Sequence, residues 1–174
     1  MKEMTTIGLD LAKSVFQLHG VDADGVVVLR RQLRRAQMLL FFSRLQPCLI
    51  GMEACGGAHH WARELAKLGH EVRLIPPSYV KPFVRRGKTD SADAEAICTA
   101  VVQPSMRFVP VKTPGQQAVL MQHRVRDFLV RQRTQLANAI RAHLCAFGIV
   151  VAKGFHHIER LLGEAGAVRI CQSR

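Results

Sequence analysis

Two short apolar runs, each carrying an acid near its end, constrain the fold of this 174-residue chain more than any other feature. The first, Thr6-Ile7-Gly8-Leu9-Asp10-Leu11-Ala12, reads as a buried strand with one carboxylate. The second, Cys48-Leu49-Ile50-Gly51-Met52-Glu53, is apolar without alternation until its last residue. A continuously apolar strand is covered on both faces, which calls for a sheet with helices on either side. An ionised carboxylate in such a strand is costly unless it is paired or bound to a cation.

The neighbouring segments complete the pattern. Ser14 to Val21 is a second strand, Asp22-Ala23-Asp24-Gly25 has the residues of a turn, and Val26 to Leu29 is a third strand. Together these predict an antiparallel meander. Ala36 to Leu45 is an amphipathic helix built around Met38, Leu39, Phe42 and Leu45, stopped by Pro47. After the fourth strand, Gly56-Gly57 break the chain, and a helix over His60 to Leu68 is closed by Gly69. Val72 to Ile75 is a fifth strand, ended by Pro76-Pro77. A short helix or loop from Tyr79 to Val84 precedes a helix from Thr89 to Val102, before Pro104. The order β-β-β-α-β-α-β-α predicts an α/β domain: a mixed five-stranded sheet with flanking helices, in the ribonuclease H-like order. There the first and fourth strands are neighbours, so Asp10 is expected beside Glu53 at one sheet end, where open sheets build their sites.

The stretch Gly87-Lys88-Thr89-Asp90-Ser91-Ala92-Asp93 adds two acids. Residues three apart on a helix share a face, so Asp90 and Asp93 aim together, directly behind Arg85, Arg86 and Lys88. Singly, each acid has a plainer reading. Asp90-x-x-Asp93 resembles a capping box, Glu53 fits as a cap for the following helix, and Asp10 as a partner for Lys13. As a set of four they predict a site for Mg²⁺ or Mn²⁺, hard cations that take oxygen ligands. Two such ions activate a water or hydroxyl and stabilise the leaving oxygen in phosphodiester chemistry. On this reading Thr89 caps the helix and leaves both aspartates free.

The charge agrees with a polyanionic partner. The chain carries +12, with 10 Lys/Arg against 7 Asp/Glu in residues 1–80 and 15 against 6 in residues 81–174. So uneven an excess marks a nucleic-acid surface. Lys13, the run Arg30, Arg31, Arg34 and Arg35, and Arg85, Arg86 and Lys88 are the candidate phosphate contacts. The four arginines are expected between the third strand and the first helix. His59-His60 and His156-His157 are adjacent pairs that make poor chelates, and Trp61 and Tyr79 read as packing residues. Five scattered cysteines without C-x-x-C spacing read as free thiols. With no apolar run near the roughly 20 residues of a membrane span and no signal core at the N-terminus, no membrane partner and a cytoplasmic location are expected.

Residues 1–107 form the expected first domain and 108–115 a proline-containing linker. Gln116 to Phe147 reads as one long helix, with Leu120, Val125, Phe128, Leu129, Gln132, Leu136, Ile140, Leu144 and Phe147 at three- and four-residue steps. At 1.5 Å per residue it spans about 48 Å. That suits a coiled-coil-type helix that pairs with another copy, in a homodimer or higher oligomer. Arg124 and Arg131 decorate its flanks as further nucleic-acid contacts. Residues 148–174 are a tail with a weak helix over His156 to Gly163.

These pieces resemble a known family, the DEDD-type insertion-sequence transposases of the IS-one-ten group, whose members act as bridge-RNA-guided recombinases. The resemblance rests on Ile7-Gly8-Leu9-Asp10-Leu11-Ala12-Lys13, Gly51-Met52-Glu53-Ala54-Cys55-Gly56-Gly57, Gly69-His70-Glu71-Val72, Ile75-Pro76-Pro77 and Lys88-Thr89-Asp90-Ser91-Ala92-Asp93-Ala94. It implies a RuvC-like domain whose four acids are Asp10, Glu53, Asp90 and Asp93. It also implies DNA and a structured guide RNA as partners, and a coiled coil that joins protomers. Full members carry a further domain with a serine nucleophile, and this chain ends at Arg174 before one, so it is expected to be an N-terminal part or a truncated copy. Against a metal-dependent recombinase stand two other readings, a catalytically incomplete RNA/DNA-binding and dimerising remnant and an actin-like ATPase. The ATPase requires glycine-rich phosphate turns and a second repeat of the fold, and the sequence has neither.

Overall fold

The structure, a computed structural model, describes residues 3–84, 90–150, 152–154, 157 and 160, the side chains of Asp90 and Ser91 excepted. The chain divides into two compact units, Met1–Thr113 and Pro114–Arg174.

The first unit is built on five strands: β1 (Thr6–Leu11), β2 (Val15–Val21), β3 (Val27–Arg34), β4 (Leu49–Glu53) and β5 (Glu71–Ile75). They lie in the order β3-β2-β1-β4-β5. β1 to β3 form an antiparallel meander, and β4 pairs parallel with both β1 and β5. This is the ribonuclease H-like arrangement, with the first and fourth strands in contact. The turn between β2 and β3 is held by Asp22, whose Oδ1 accepts the backbone N–H groups of Asp24 and Val26 at 3.0 and 2.9 Å.

Strand β3 runs five residues beyond the end expected at Leu29. The reason is Leu33, which faces Phe16 across the ladder and is 2% exposed in the core. That single apolar residue among arginines anchors the whole run to the sheet. Arg30, Arg31 and Arg34 therefore lie on the strand rather than in the connection after it, and Arg35 alone stands in that connection. The helix expected over Ala36–Leu45 is correspondingly shorter: one 3-10 turn at Arg35–Gln37 leads into α1 (Met38–Phe42). Backbone bonds from Arg44 to Phe41 and from Leu45 to Phe42 then tighten the exit.

Helices cover both faces of the sheet. On one side Ile7, Leu9, Phe16, Leu18, Ile50, Met52 and Leu74 pack with Met38 and Phe42 of α1 and with Trp61 and Leu65 of α2 (Ala58–Lys67). Gly69, at φ +91°, closes α2 in the left-handed conformation that glycine adopts without strain. On the other side, Ile75 packs with Val80 of the short α3 (Pro77–Val80) and with Ala96, Ile97, Ala100 and Val101 of α4 (Asp90–Val101).

Two glycines let α4 touch the sheet backbone. A Cβ at Gly8 would collide with the carbonyl oxygen of Ala94 and the amide nitrogen of Cys98, and one at Gly51 would stand 2.7 Å from Val101 Cβ. The segment expected as a linker from Phe108 is docked rather than loose. Val109 donates its N–H to Leu74 O at 2.8 Å. Lys112 donates its N–H to His59 Nδ1 at 3.2 Å.

The second unit is dominated by α5 (Pro114–Cys145), a 32-residue helix. Gly148 follows at φ +76°. Val119, Met121, Val125, Phe128, Leu129 and Leu136 are all more than half exposed along it. A small cluster of Ala137, Leu144 and Ile149 packs at its C-terminal end. Most of the helix expected over His156 to Gly163 lies outside the described residues. Among the described residues, no helix is long and apolar enough to cross a membrane.

Candidate metal and nucleic-acid site

The register of β1 against β4 decides where the strand-borne acids stand. Gly8 is level with Gly51, and Leu9 with Met52. The next residue along each strand is Asp10 and Glu53, one strand spacing apart, about 4.8 Å. Side chains alternate along a strand, so Asp10 shares the face of Gly8 and Glu53 that of Gly51, and that face is the one α4 crosses. Both acids are half-buried.

Helix α4 crosses the same face. Ala94, Ile97, Cys98 and Val101 meet the two glycines. Asp93 stands one turn before Ile97 and is half-buried. Asp90 is the first residue of α4, one turn before Ala94, and its side chain lies outside the described residues. So do Thr89, the expected cap, and Arg85, Arg86 and Lys88. Among the described residues, no three His, Cys, Asp or Glu side chains gather into a group that could hold a metal ion.

The four arginines of the β3 segment separate onto two faces. The Arg31 guanidinium lies 5.3 Å from the centre of the Phe41 ring. That of Arg35 lies 5.2 Å from the centre of the Phe16 ring and 5.5 Å from that of Trp61, and its Nε donates to Lys13 O at 3.2 Å. Both therefore pack on aromatic rings on the side away from α4. Arg30 and Arg34 are on the α4 side. Arg30 pairs with Glu95 of α4 at 3.6 Å. Arg34 is exposed and has neither an ion pair nor a ring contact among the described residues. Lys13 is exposed in the β1–β2 turn, and Arg124 and Arg131 are exposed on α5.

The register also reveals residues that the motif reading passed over. Asp10 is paired with Gln17 on β2, and Gln17 with Gln32 on β3. A polar row, Glu53–Asp10–Gln17–Gln32, therefore crosses four strands on one face. His19 pairs with Gly8 and Arg30 in the adjacent row and is 4% exposed beneath α4. Burial holds its pKa below the ordinary value of 6.5, with Glu95 pulling upward and Arg30 downward. The period-two spacing Arg30-x-Gln32-x-Arg34 was the available signal, but it is readable only once the strand is known to extend so far.

The remaining titratable groups serve the fold. Burial pushes the Cys48 thiol up to about 11. The His70 ring beside it accepts the Cys48 N–H at Nδ1 (3.3 Å), so Nε2 carries the proton that bonds Phe42 O at 3.0 Å. His59, 8% exposed, secures Lys112. Its pKa is lowered by burial, then by Lys112 and Arg63. His60 is exposed and meets the Trp61 ring edge-on. Cys48, Cys55, Cys98 and Cys145 are free thiols.

A family model described as a transposase, of the DEDD IS110 type, matches residues 7–149. Similar curated proteins include a Sinorhizobium fredii protein carrying the transposase designation y4pF/y4sB, 54% identical over 96% of this chain and 43% of its own length. A Pseudomonas aeruginosa protein described as a family 20 transposase is 59% identical over 86% of this chain and 44% of its own length. The transposase for insertion sequence element IS1328 of Yersinia enterocolitica is 45% identical over 92% and 48% respectively. The chain thus spans under half the length of these relatives. A solved structure of T. thermophilus RuvC in complex with Holliday junction substrate aligns with a TM-score of 0.44 and 13% identity, over 62% of this chain and 100% of that chain. With its matched residues running from the first buried strand to the end of α5, this chain belongs to the DEDD-type IS110 transposase family.

Proposed function

We propose that this chain is the N-terminal part of a DNA transposase that works on DNA phosphodiesters, guided by a structured RNA, in the cytoplasm. The observation that carries the reading is the register of β1 and β4, paired as far as Leu9↔Met52, with Asp10 and Glu53 the next residue on each strand. Two carboxylates one strand spacing apart on one face repel each other unless a proton or a cation intervenes. The donors are carboxylate oxygens throughout, which fits Mg²⁺ or Mn²⁺ and not a thiolate- or imidazole-seeking metal. Asp10, Glu53, Asp90 and Asp93 are the residues that would hold it. When bound, the metal supplies Lewis-acid activation of the attacking oxygen and charge for the leaving oxygen. The chain's own part is positioning. β1 and β4 carry two of the acids near their ends, and α4, seated on Gly8 and Gly51, carries Asp93 and starts at Asp90.

The test is Mn²⁺ titration calorimetry on the 174-residue chain. Wild type is expected to bind, and Asp10→Asn, Glu53→Gln and Asp93→Asn to lose the heat while keeping their circular dichroism spectra. Equal heats in all four proteins would sink the proposal.

A second reading, a nucleic-acid-binding and dimerising module without chemistry of its own, is favoured by α5. Its exposed Met121, Val125, Phe128 and Leu129 run beside Arg124 and Arg131, as in a helix that pairs with a second copy and contacts a polyanion. Binding of structured RNA with steep salt dependence, but no Mn²⁺ heat in wild type, would select it.

A further inference from the structure

We infer that Gln17, Gln32 and Arg34 form a track that guides one nucleic-acid strand across the sheet to Asp10 and Glu53, an inference that rests on the nucleic-acid reading above. The pairings Asp10↔Gln17 and Gln17↔Gln32 put the two amides in line with the acid, on the same face. Arg34, two residues beyond Gln32 along β3 and level with Val15, shares that face and flanks the row at the open edge of the sheet. Gln17 is half-buried while Gln32 and Arg34 are exposed. Among the described residues, neither glutamine amide makes a side-chain hydrogen bond with the protein.

The chemistry of the row is graded. Acids stand on the central strands, neutral amides follow on β2 and β3, and a guanidinium stands beside the last amide on the edge strand. Phosphate is repelled by bare carboxylates, is accepted by amide N–H donors, and is held by guanidinium. Two strand spacings put Gln32 about 10 Å from Asp10, the rise of about three nucleotides along one DNA strand. The track therefore contacts the backbone some three nucleotides from the bond presented to the acids.

The other arginines of the segment are already occupied. Arg30 is paired with Glu95, and Arg31 and Arg35 lie on aromatic rings at the opposite face. Of the four, Arg34 alone is assigned to phosphate.

The probe is a fluorescein-labelled DNA duplex of mixed sequence, with Ca²⁺ in place of Mg²⁺, followed by fluorescence anisotropy over a range of salt concentrations. Arg34→Ala is expected to weaken binding and to reduce the slope of log K against log salt by about 0.9, the release of one counterion. Arg34→Lys keeps the slope. Gln17→Ala combined with Gln32→Ala is expected to weaken binding about tenfold at an unchanged slope, since two neutral hydrogen bonds are lost and no charge. Arg31→Ala leaves both quantities as in wild type. If Arg34→Ala keeps the wild-type slope, or the double glutamine variant keeps wild-type affinity, the track is wrong while nucleic-acid binding stands. If wild type binds no duplex, the nucleic-acid reading fails and the track with it.

Discussion

The Arg30 guanidinium lies 3.6 Å from the Glu95 carboxylate, so an edge-strand arginine is tied to the helix that begins with Asp90 and carries Asp93. Arg30 directly overlies His19 in the ladder, and His19 is buried beneath the same helix. A residue that reads as a phosphate contact is thus part of the seat of α4. The pair is largely solvated, at 59% and 31% side-chain exposure, so its strength is that of a surface ion pair. Arg30→Ala and Glu95→Gln are each expected to cost under about 1 kcal/mol, and the double variant no more than the larger single one. Urea unfolding of the three variants checks this, and additive losses would contradict the pairing.

Gly8→Ala is expected to be far more damaging. Its Cβ would meet backbone atoms of α4, which cannot rotate away as a side chain can. Overpacking of this kind costs about 1–3 kcal/mol, occasionally more. Gly51→Ala meets mainly the Val101 side chain and should cost less. Urea midpoints that rank the two variants the other way would show that α4 moves more easily than the close approach implies.

Acid should destabilise the first unit through two of its buried histidines. Both His19 and His59 have folded-state pKa values depressed below 6.5. The unfolded chain therefore binds more protons in that window. Their contribution is fully present above about pH 6.5 and is lost as pH falls through the depressed values. Stability measured by urea at pH 8 and at successively lower pH should decline, and His59→Gln should decline less. A flat profile in wild type would refute the assignment.

Thiol reactivity should divide by burial. Cys48 and Cys98 are buried, each with its pKa pushed up to about 11, and only the thiolate reacts. Cys55 and Cys145 are exposed. Peptide mapping after brief alkylation at pH 8 should find label on Cys55 and Cys145, and on Cys48 and Cys98 only after denaturant is added.

A divalent ion should also report through stability. A ligand bound by the folded chain alone raises the melting temperature by mass action. Mg²⁺ or Mn²⁺ is expected to raise it in wild type, EDTA to reverse the effect, and Asp10→Asn to remove it. A shift retained in Asp10→Asn would move the metal elsewhere.

The strand order was legible because apolar runs without alternation, glycine breaks and proline stops are local signals that survive without tertiary context. Asp10, Glu53, Asp90 and Asp93 were legible as outliers, acids set within or next to apolar periodicity. The length of β3 was not legible, since Arg30, Arg31 and Arg34 carry no strand propensity of their own. Leu33, buried against Phe16, holds that segment in the sheet, and that contact joins residues seventeen positions apart.

The sequence by itself determined which elements form, and that carboxylates stand at the ends of two buried strands, because period and composition are properties of neighbouring residues. Only the tertiary structure decided that Asp10 lines up with Gln17 and Gln32, that Arg31 and Arg35 face away from α4, and that α4 rests on Gly8 and Gly51. The physical reason is register. A shift of one residue between strands moves every side chain to the other face, and register is set by the burial of the whole core, which no single segment specifies.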